Sequence, residues 1–259
     1  MNIIILSLSR TRNRVFSVET VVSCVLFILA IGQTYSFAQG QKAADLFAQS
    51  RREMVERDLR GRGIKDARVL QAMDSVPRHL FVEERQRPRA YEDRPLPIGE
   101  GQTISQPYIV ALMTQLLDLT GSERVLEVGT GSGYQAAVLS LLAREIYTVE
   151  IVPPLADRAR ATLASLGYEN VWVKVGDGFF GWGEKAPFEA ILVTAAAKEL
   201  PEPLWRQLRE GGRLVMPIGG ERQTQKLIRV RKINGKRQTE QITGVLFVPM
   251  TGAAQGEAR

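Results

Sequence analysis

The sequence predicts an α/β protein with a Rossmann-like, doubly wound sheet, mostly parallel with antiparallel strands at its C-terminal end, behind a small N-terminal helical layer. Three observations carry this. Beyond Gly121, short apolar runs alternate with amphipathic stretches, as in a parallel sheet whose helices cover both faces. From Leu227 the pattern changes to two runs around Asn234-Gly235, a tight hairpin turn. Ahead of Gly121 lie helical stretches rich in charge.

In chain order, residues 43–60 set Ala44, Leu46, Phe47, Met54, Val55 and Leu59 among many charges, as a surface helix requires, and Gly61 and Gly63 mark its end. A second short helix places Val69, Leu70, Met73 and Val76 on one face and stops before Pro77. The stretch from Pro88 to Gln106, with Arg94-Pro95-Leu96-Pro97-Ile98-Gly99-Glu100-Gly101 at its centre, is too rich in Pro and Gly for a regular helix or a central strand. It reads as a long loop, and such loops inside compact domains are usually functional. Pro107 suits the first turn of a helix that Ser105 could cap, carrying Ile109, Leu112, Met113, Leu116 and Leu117 to Asp118. Strands follow at Arg124 to Val128, Glu145 to Glu150, Val171 to Val175, Phe188 to Thr194 and Arg213 to Pro217. Helices lie at Tyr134 to Ala143, Pro154 to Leu166 and Pro203 to Arg209. Leu227 to Lys232 and Gln238 to Val248 complete the fold as antiparallel strands. Residues 43–252 are expected to pack as one domain, 43–120 supplying helices and loop and 121–252 the core.

Composition excludes several function classes. The chain of 259 residues carries a formal charge of +6, but its basic residues are broken up by acidic, proline and apolar ones and are not interleaved with stacking aromatics, so no nucleic-acid partner is expected. Cys24 is the single cysteine and His79 the single histidine, which excludes an intrachain disulfide, a thiolate cluster, a Cys-His catalytic pair and a His-rich metal site. No metal is expected, and His79, among apolar neighbours on a helical stretch, reads as structural.

Residues 1–38 stand apart. Arg10, Arg12 and Arg14 precede an uncharged run from Thr20 to Ile31, and Ser36-Phe37-Ala38 offers small residues at a signal-peptidase spacing. The run is short for a membrane span of about 20 residues, so no stable span is expected in a mature protein. The other reading is a start too far upstream, with Met54 as an internal start.

The strand ending Val125-Leu126-Glu127-Val128 runs directly into Gly129-Thr130-Gly131-Ser132-Gly133, and ligands of doubly wound sheets bind at such first strand-to-helix turns. A dinucleotide fingerprint needs its third glycine at position 134, where Tyr134 stands, and a phosphate loop needs Gly-Lys-Ser/Thr, which is absent. Acidic-x-Gly-x-Gly-x-Gly instead resembles S-adenosylmethionine sites. Glu127 then suits the cationic methionine end, directly or through water. Glu150, 21 residues beyond Gly129, suits the ribose hydroxyls, and Asp177 in Gly176-Asp177-Gly178 suits the adenine amino group. The competing reading of Glu150 and Asp177 is that they cap turns.

From about Met54 to Met250 the chain resembles the protein-L-isoaspartate O-methyltransferases. Gly101-Gln102-Thr103-Ile104-Ser105-Gln106-Pro107, Val125 to Gln135, Val175 to Gly178, Pro187 to Ala196 and Leu208 to Gly219 carry the resemblance. It implies an enzyme that uses S-adenosylmethionine to methylate the free carboxylate of isoaspartyl residues in damaged proteins, beginning repair through a succinimide. It makes residues 43–120 the part that bears the substrate loop, with Ser105 as the active-site serine. Thr103, Ile104, Gln106, Pro217, Ile218 and Val248 would face the substrate, and Gly129, Thr130, Gly131, Gly133, Gly178 and Thr194 would join Glu127, Glu150 and Asp177 around the cofactor. It implies a monomer working in the cytoplasm, where the cofactor is made; export through residues 1–38 is the alternative. Other substrates on the same fold, and an exported noncatalytic binding protein, are the competing functions.

Overall fold

The computed structural model describes residues 47–220 and 223–256. The chain divides into two units, Met1–Ala48 and Gln49–Arg259. The export-signal reading of residues 1–38 lies outside the described residues. Among those described, no helix is long and apolar enough to cross a membrane.

The described chain opens in helix at residues 47–53 and widens into a π-helical turn, Met54–Leu59; together these are α1. Met54, Val55 and Leu59 are buried, and Gly63, at φ +93°, closes the following 3-10 turn as only a residue without Cβ does easily. Helix α2, Ala67–Ser75, starts where Asp66 accepts hydrogen bonds from the amides of Arg68 and Val69. It buries Val69, Leu70, Ala72 and Met73, the face its spacing predicts.

The long loop expected between Pro88 and Gln106 contains a hairpin. Strands β1, Leu96–Gly99, and β2, Gln102–Ile104, pair antiparallel as a separate two-stranded sheet. Two strands leave outer edges unpaired, so Pro97 removes no ladder hydrogen bond that the pair needs, and Glu100 and Gly101 turn the chain at φ +53° and +68°. Helix α3, Pro107–Leu116, follows.

The main sheet is built from β3 (Arg124–Val128), β4 (Glu145–Glu150), β5 (Val171–Val175), β6 (Phe188–Val193), β7 (Leu208–Ile218), β8 (Gln225–Ile233) and β9 (Lys236–Val245), in spatial order β5-β4-β3-β6-β7-β8-β9. Pairs from β5 to β7 are parallel, and β8 and β9 add antiparallel. Helices α4 (Tyr134–Ser140), α5 (Pro153–Ser165) and α6 (Glu202–Gln207) connect them. Strand β3 has β4 on one side and β6 on the other, so the sheet's order reverses at its C-terminal end, where a cleft must open.

Three boundaries differ from expectation by three residues or more. Helix α4 ends at Ser140, short of Ala143. Strand β7 begins at Leu208, because Phe188 pairs with Leu208 and Ala190 with Arg213 across an irregularity that contains Gly211 at φ +77°; a bulge absorbs the extra residues. Strand β9 stops at Val245, and the chain beyond leaves the hairpin to bridge Pro249 to Ala196 in parallel. Val248 is therefore carried to the C-terminal end of β6, not along the hairpin. Leu126, Val149, Phe188, Ile191, Leu214, Met216 and Val230 form the core beneath.

Candidate functional site

At the end of β3, Gly129 takes φ +95° and the amides of Gly129 and Thr130 both donate to the Val149 carbonyl, at 2.9 and 3.3 Å. The Thr194 hydroxyl donates to the carbonyls of Val128 and Gly129 at 3.0 and 2.8 Å, fastening the loop to the end of β6. A Cβ on Gly129 would lie 2.4 Å from that hydroxyl oxygen, so side-chain-free backbone is a packing requirement here. Gly133, at φ +87°, caps α4. Thr130 is buried, its hydroxyl 2.6 Å from that of Thr148.

Glu150 takes the Gly131 amide on Oε2 at 2.8 Å and the Val152 amide on Oε1 at 3.0 Å, yet it also lines the cavity over the loop. Each carboxylate oxygen accepts a second hydrogen bond, so capping the turn leaves capacity for two ligand hydroxyls. Asp177 is placed differently. Its Oδ1 accepts from Phe179 at 2.9 Å and its Oδ2 from Ala253 at 2.8 Å, and it does not line the cavity, whereas Gly178 does. Asp177 caps one turn and ties down the C-terminal turn Gly252–Gln255.

Glu127 is wholly buried and lies off the cavity wall, and among the described residues neither carboxyl oxygen makes a hydrogen bond of ordinary geometry. Burial pushes its pKa up to about 8, with the Thr148 hydroxyl opposing and the Glu150 charge adding. A carboxyl that keeps its proton when folded and loses it near 4.5 when unfolded makes stability fall as pH rises from about 4.5 to about 8, since the unfolded chain binds fewer protons there. Urea unfolding of the cofactor-free protein at pH 5 and pH 8 is expected to show this loss, and Glu127→Gln to reduce it. An identical pH slope in the variant would remove Glu127 as the source.

The substrate side is assembled from the hairpin and α3. Thr103, Ile104 and Ser105 line the cavity over the glycine loop. A second cavity, lined by Gln106, Tyr108, Ile109, Arg62, Leu246 and Phe247 among others, also contains Thr103, Ser105, Thr194 and Val248. These four residues are the common wall of the two spaces. Pro217 and Ile218 line neither; the Pro217 carbonyl accepts from Ala197, and Ile218 bridges to Ala197, so they support the strand end beside the site.

Ser105 does not cap α3. The N-cap is Gln106, without a side-chain cap of its own, and Asp93 supplies the acceptor, its Oδ1 2.9 Å from the Tyr108 amide. Arg78, fully buried, donates to the Ser105 carbonyl at 2.6 Å and to the Ala90 carbonyl at 2.8 Å, with its guanidinium carbon 4.7 Å from the Tyr134 ring centre. Burial lowers its pKa to about 10, which leaves it charged at neutral pH. The sequence reading missed both residues, because a contact across an irregular loop leaves no periodic trace. His79 sits in a 3-10 turn, Arg78–Phe81, with Nδ1 2.8 Å from the Tyr91 hydroxyl, in keeping with a structural role.

Comparison with known proteins bears on this arrangement. A family model described as protein-L-isoaspartate(D-aspartate) O-methyltransferase matches residues 49–255. Protein-L-isoaspartate O-methyltransferase 2 of Shewanella sediminis (strain HAW-EB3) is 57% identical over 211 residues, which are 82% of this chain and 86% of that protein. Its namesake from Polaromonas sp. (strain JS666 / ATCC BAA-500) is 58% identical over 193 residues, 74% and 92% of the two chains. A solved protein-L-isoaspartate O-methyltransferase superposes with a TM-score of 0.72 at 31% identity over 78% of this chain and 66% of that one. A Plasmodium falciparum structure of the same description, in complex with S-adenosyl-L-homocysteine, gives 0.67 at 29% identity over 78% and 98%.

Proposed function

Since the chain belongs to the protein-L-isoaspartate(D-aspartate) O-methyltransferase family and transfers a methyl group from S-adenosylmethionine to L-isoaspartyl carboxylates, we propose that the transfer takes place at the wall shared by the two cavities, with Ser105 orienting the carboxylate. The methyl ester collapses to a succinimide, whose reopening restores some normal aspartate. The observation that carries the residue assignment is that Thr103, Ser105, Thr194 and Val248 border both spaces, so an acceptor held in one can reach a donor held in the other.

The loop fits the cofactor. Gly129 leaves no room for a Cβ, and Glu150 keeps acceptor capacity on the cavity wall. Glu127, two residues before that glycine, is a buried carboxyl group without a hydrogen bond of ordinary geometry among the described residues. We assign Gly129, Thr130, Gly131, Glu150, Gly178 and Thr194, which line the cavity, to holding it, with Gly133, Glu127 and Asp177 acting from behind through the loop and the C-terminal turn. When bound, S-adenosylmethionine supplies an electrophilic sulfonium methyl group.

An isoaspartyl carboxyl has a pKa near 4 and is already ionised at neutral pH, so Ser105 has no proton to remove. Its hydroxyl donates to the carboxylate or the adjoining peptide, and Thr103, Ile104, Gln106 and Val248 confine the chain so that one oxygen faces the methyl donor. Holding the acceptor in line at near-attack distance contributes several kcal/mol, and excluding water from the shared wall strengthens these contacts.

In an assay with isotope-labelled S-adenosylmethionine, label is expected on an isoaspartyl peptide and not on its aspartyl twin. Label on both points to another substrate class on this fold, and label on neither to a noncatalytic binding protein. The same proposal includes a monomer working in the cytoplasm. Gln39 as the first residue of the protein isolated from its own cells would instead mean export.

A further inference from the structure

We propose that Asp93 and Arg78 are positioning residues that clamp the Ser105 peptide from its two sides and free the serine hydroxyl for the substrate; this rests on the assignment of Ser105 made above. The need for a clamp is local. The first turn of α3 has amides without intrahelical acceptors, Pro107 has none to offer, and the N-cap Gln106 caps nothing. A serine just ahead of a helix would ordinarily turn back to satisfy these amides, and its hydroxyl would be spent.

Asp93 prevents that. Its Oδ1 takes the Tyr108 amide at 2.9 Å and its Oδ2 the Gln106 side-chain amide at 2.8 Å. On the other side Arg78 holds the Ser105 carbonyl at 2.6 Å from a fully buried position, braced by the Ala90 carbonyl at 2.8 Å. The backbone is thus pinned at 105 and 108, while the Ser105 hydroxyl makes no hydrogen bond among the described residues and stands on the wall common to both cavities.

Asp93 also neutralises a competitor. Arg62 lines the second cavity, ion-paired to Asp93 and stacked 3.7 Å from the Tyr108 ring centre. An unpaired guanidinium there would bind the isoaspartyl carboxylate bidentately and hold it away from the methyl donor. With Arg62 paired, the hydroxyl donors left on the wall common to both cavities are those of Ser105 and Thr103.

The test is a double-mutant cycle on the full chain, read as kcat/KM for an isoaspartyl peptide. Asp93→Asn keeps the size and loses the charge. It is expected to lower kcat/KM about tenfold in the wild-type background, the worth of one charge-assisted hydrogen bond, and less than twofold when Ser105 is already alanine. Arg78→Lys, which keeps the charge but cannot reach two carbonyls in the same way, is expected to show the same non-additivity. Cofactor binding by calorimetry is expected to stay within twofold for Asp93→Asn. Equal losses in both backgrounds, the signature of a smaller folded fraction, would overturn the positioning role and leave Ser105 in the site. Full activity of Ser105→Ala alone would overturn both, and that single variant distinguishes the two failures.

Discussion

Replacing Gly129 with alanine is expected to lower the melting temperature by about 4–12 °C and to weaken S-adenosylmethionine binding at least about tenfold. The residue stands at φ +95°, where an L side chain costs about 1–2 kcal/mol. The added Cβ would also lie 2.4 Å from the Thr194 hydroxyl oxygen, a distance that forces movement. Thr194 is not a free side chain: its single hydroxyl proton is shared between two carbonyls of the loop, an interaction contributing about 1 kcal/mol. The sum, about 2–3 kcal/mol, converts to about 4–12 °C at about 2–4 °C per kcal/mol for a protein of this size. Gly101→Ala is the control, since Gly101 has φ +68° and nothing within 4 Å of its Cβ position. It carries the backbone cost without the collision. Thermal melts showing equal shifts for the two variants would mean that the Thr194 fastening contributes nothing, and unchanged cofactor affinity by calorimetry would detach the loop from the cofactor.

The parts of this molecule that were legible in the sequence are those whose determinants lie within one element. Strands β3, β4 and β5 fall at the predicted positions because buried parallel strands read as continuous apolar runs bounded by turn residues. The glycine loop was legible for the same reason: five consecutive residues contain the whole turn. What escaped depends on distant partners. The β1-β2 hairpin was hidden by its prolines, which a two-stranded sheet tolerates at its edges. The early start of β7 was hidden by a bulge, and the exit of Val248 from β9 by a bridge to Ala196 that no pattern along the strand announces. Among the site residues, Glu150 lies where its strand-end position suggested. Position alone does not say where a carboxylate is spent, however, and Asp177 is engaged by the amides of Phe179 and Ala253, while Glu127 is sealed under the loop. Ser105 lies on the wall common to both cavities, and the cap it could have given α3 comes instead from Asp93, which reaches across an irregular segment.

Ser105→Ala is expected to lower kcat/KM for an isoaspartyl peptide about 10- to 100-fold while leaving the cofactor dissociation constant within about twofold. A hydrogen bond from a neutral donor to a charged group contributes about 1.5–3 kcal/mol, and each 1.4 kcal/mol is about a factor of ten in rate. The carboxylate loses negative charge as the methyl group arrives. A donor that binds that charge strongly stabilises the reactant more than the transition state. A full cation on the acceptor oxygen would therefore slow the transfer, whereas a hydroxyl is weak enough to orient the carboxylate without quenching it. This is also why the pairing of Arg62 with Asp93 matters to a reaction in which neither side chain takes part. Cofactor binding is spared because the hydrogen bonds that shape the loop run among Glu150, Thr194, Val149 and the loop itself, none of them involving the serine. Steady-state kinetics and calorimetry on the same preparation check both halves. A variant that loses affinity for S-adenosylmethionine in step with its rate would make Ser105 a residue that holds the cofactor, and one that loses neither would move the acceptor away from the shared wall.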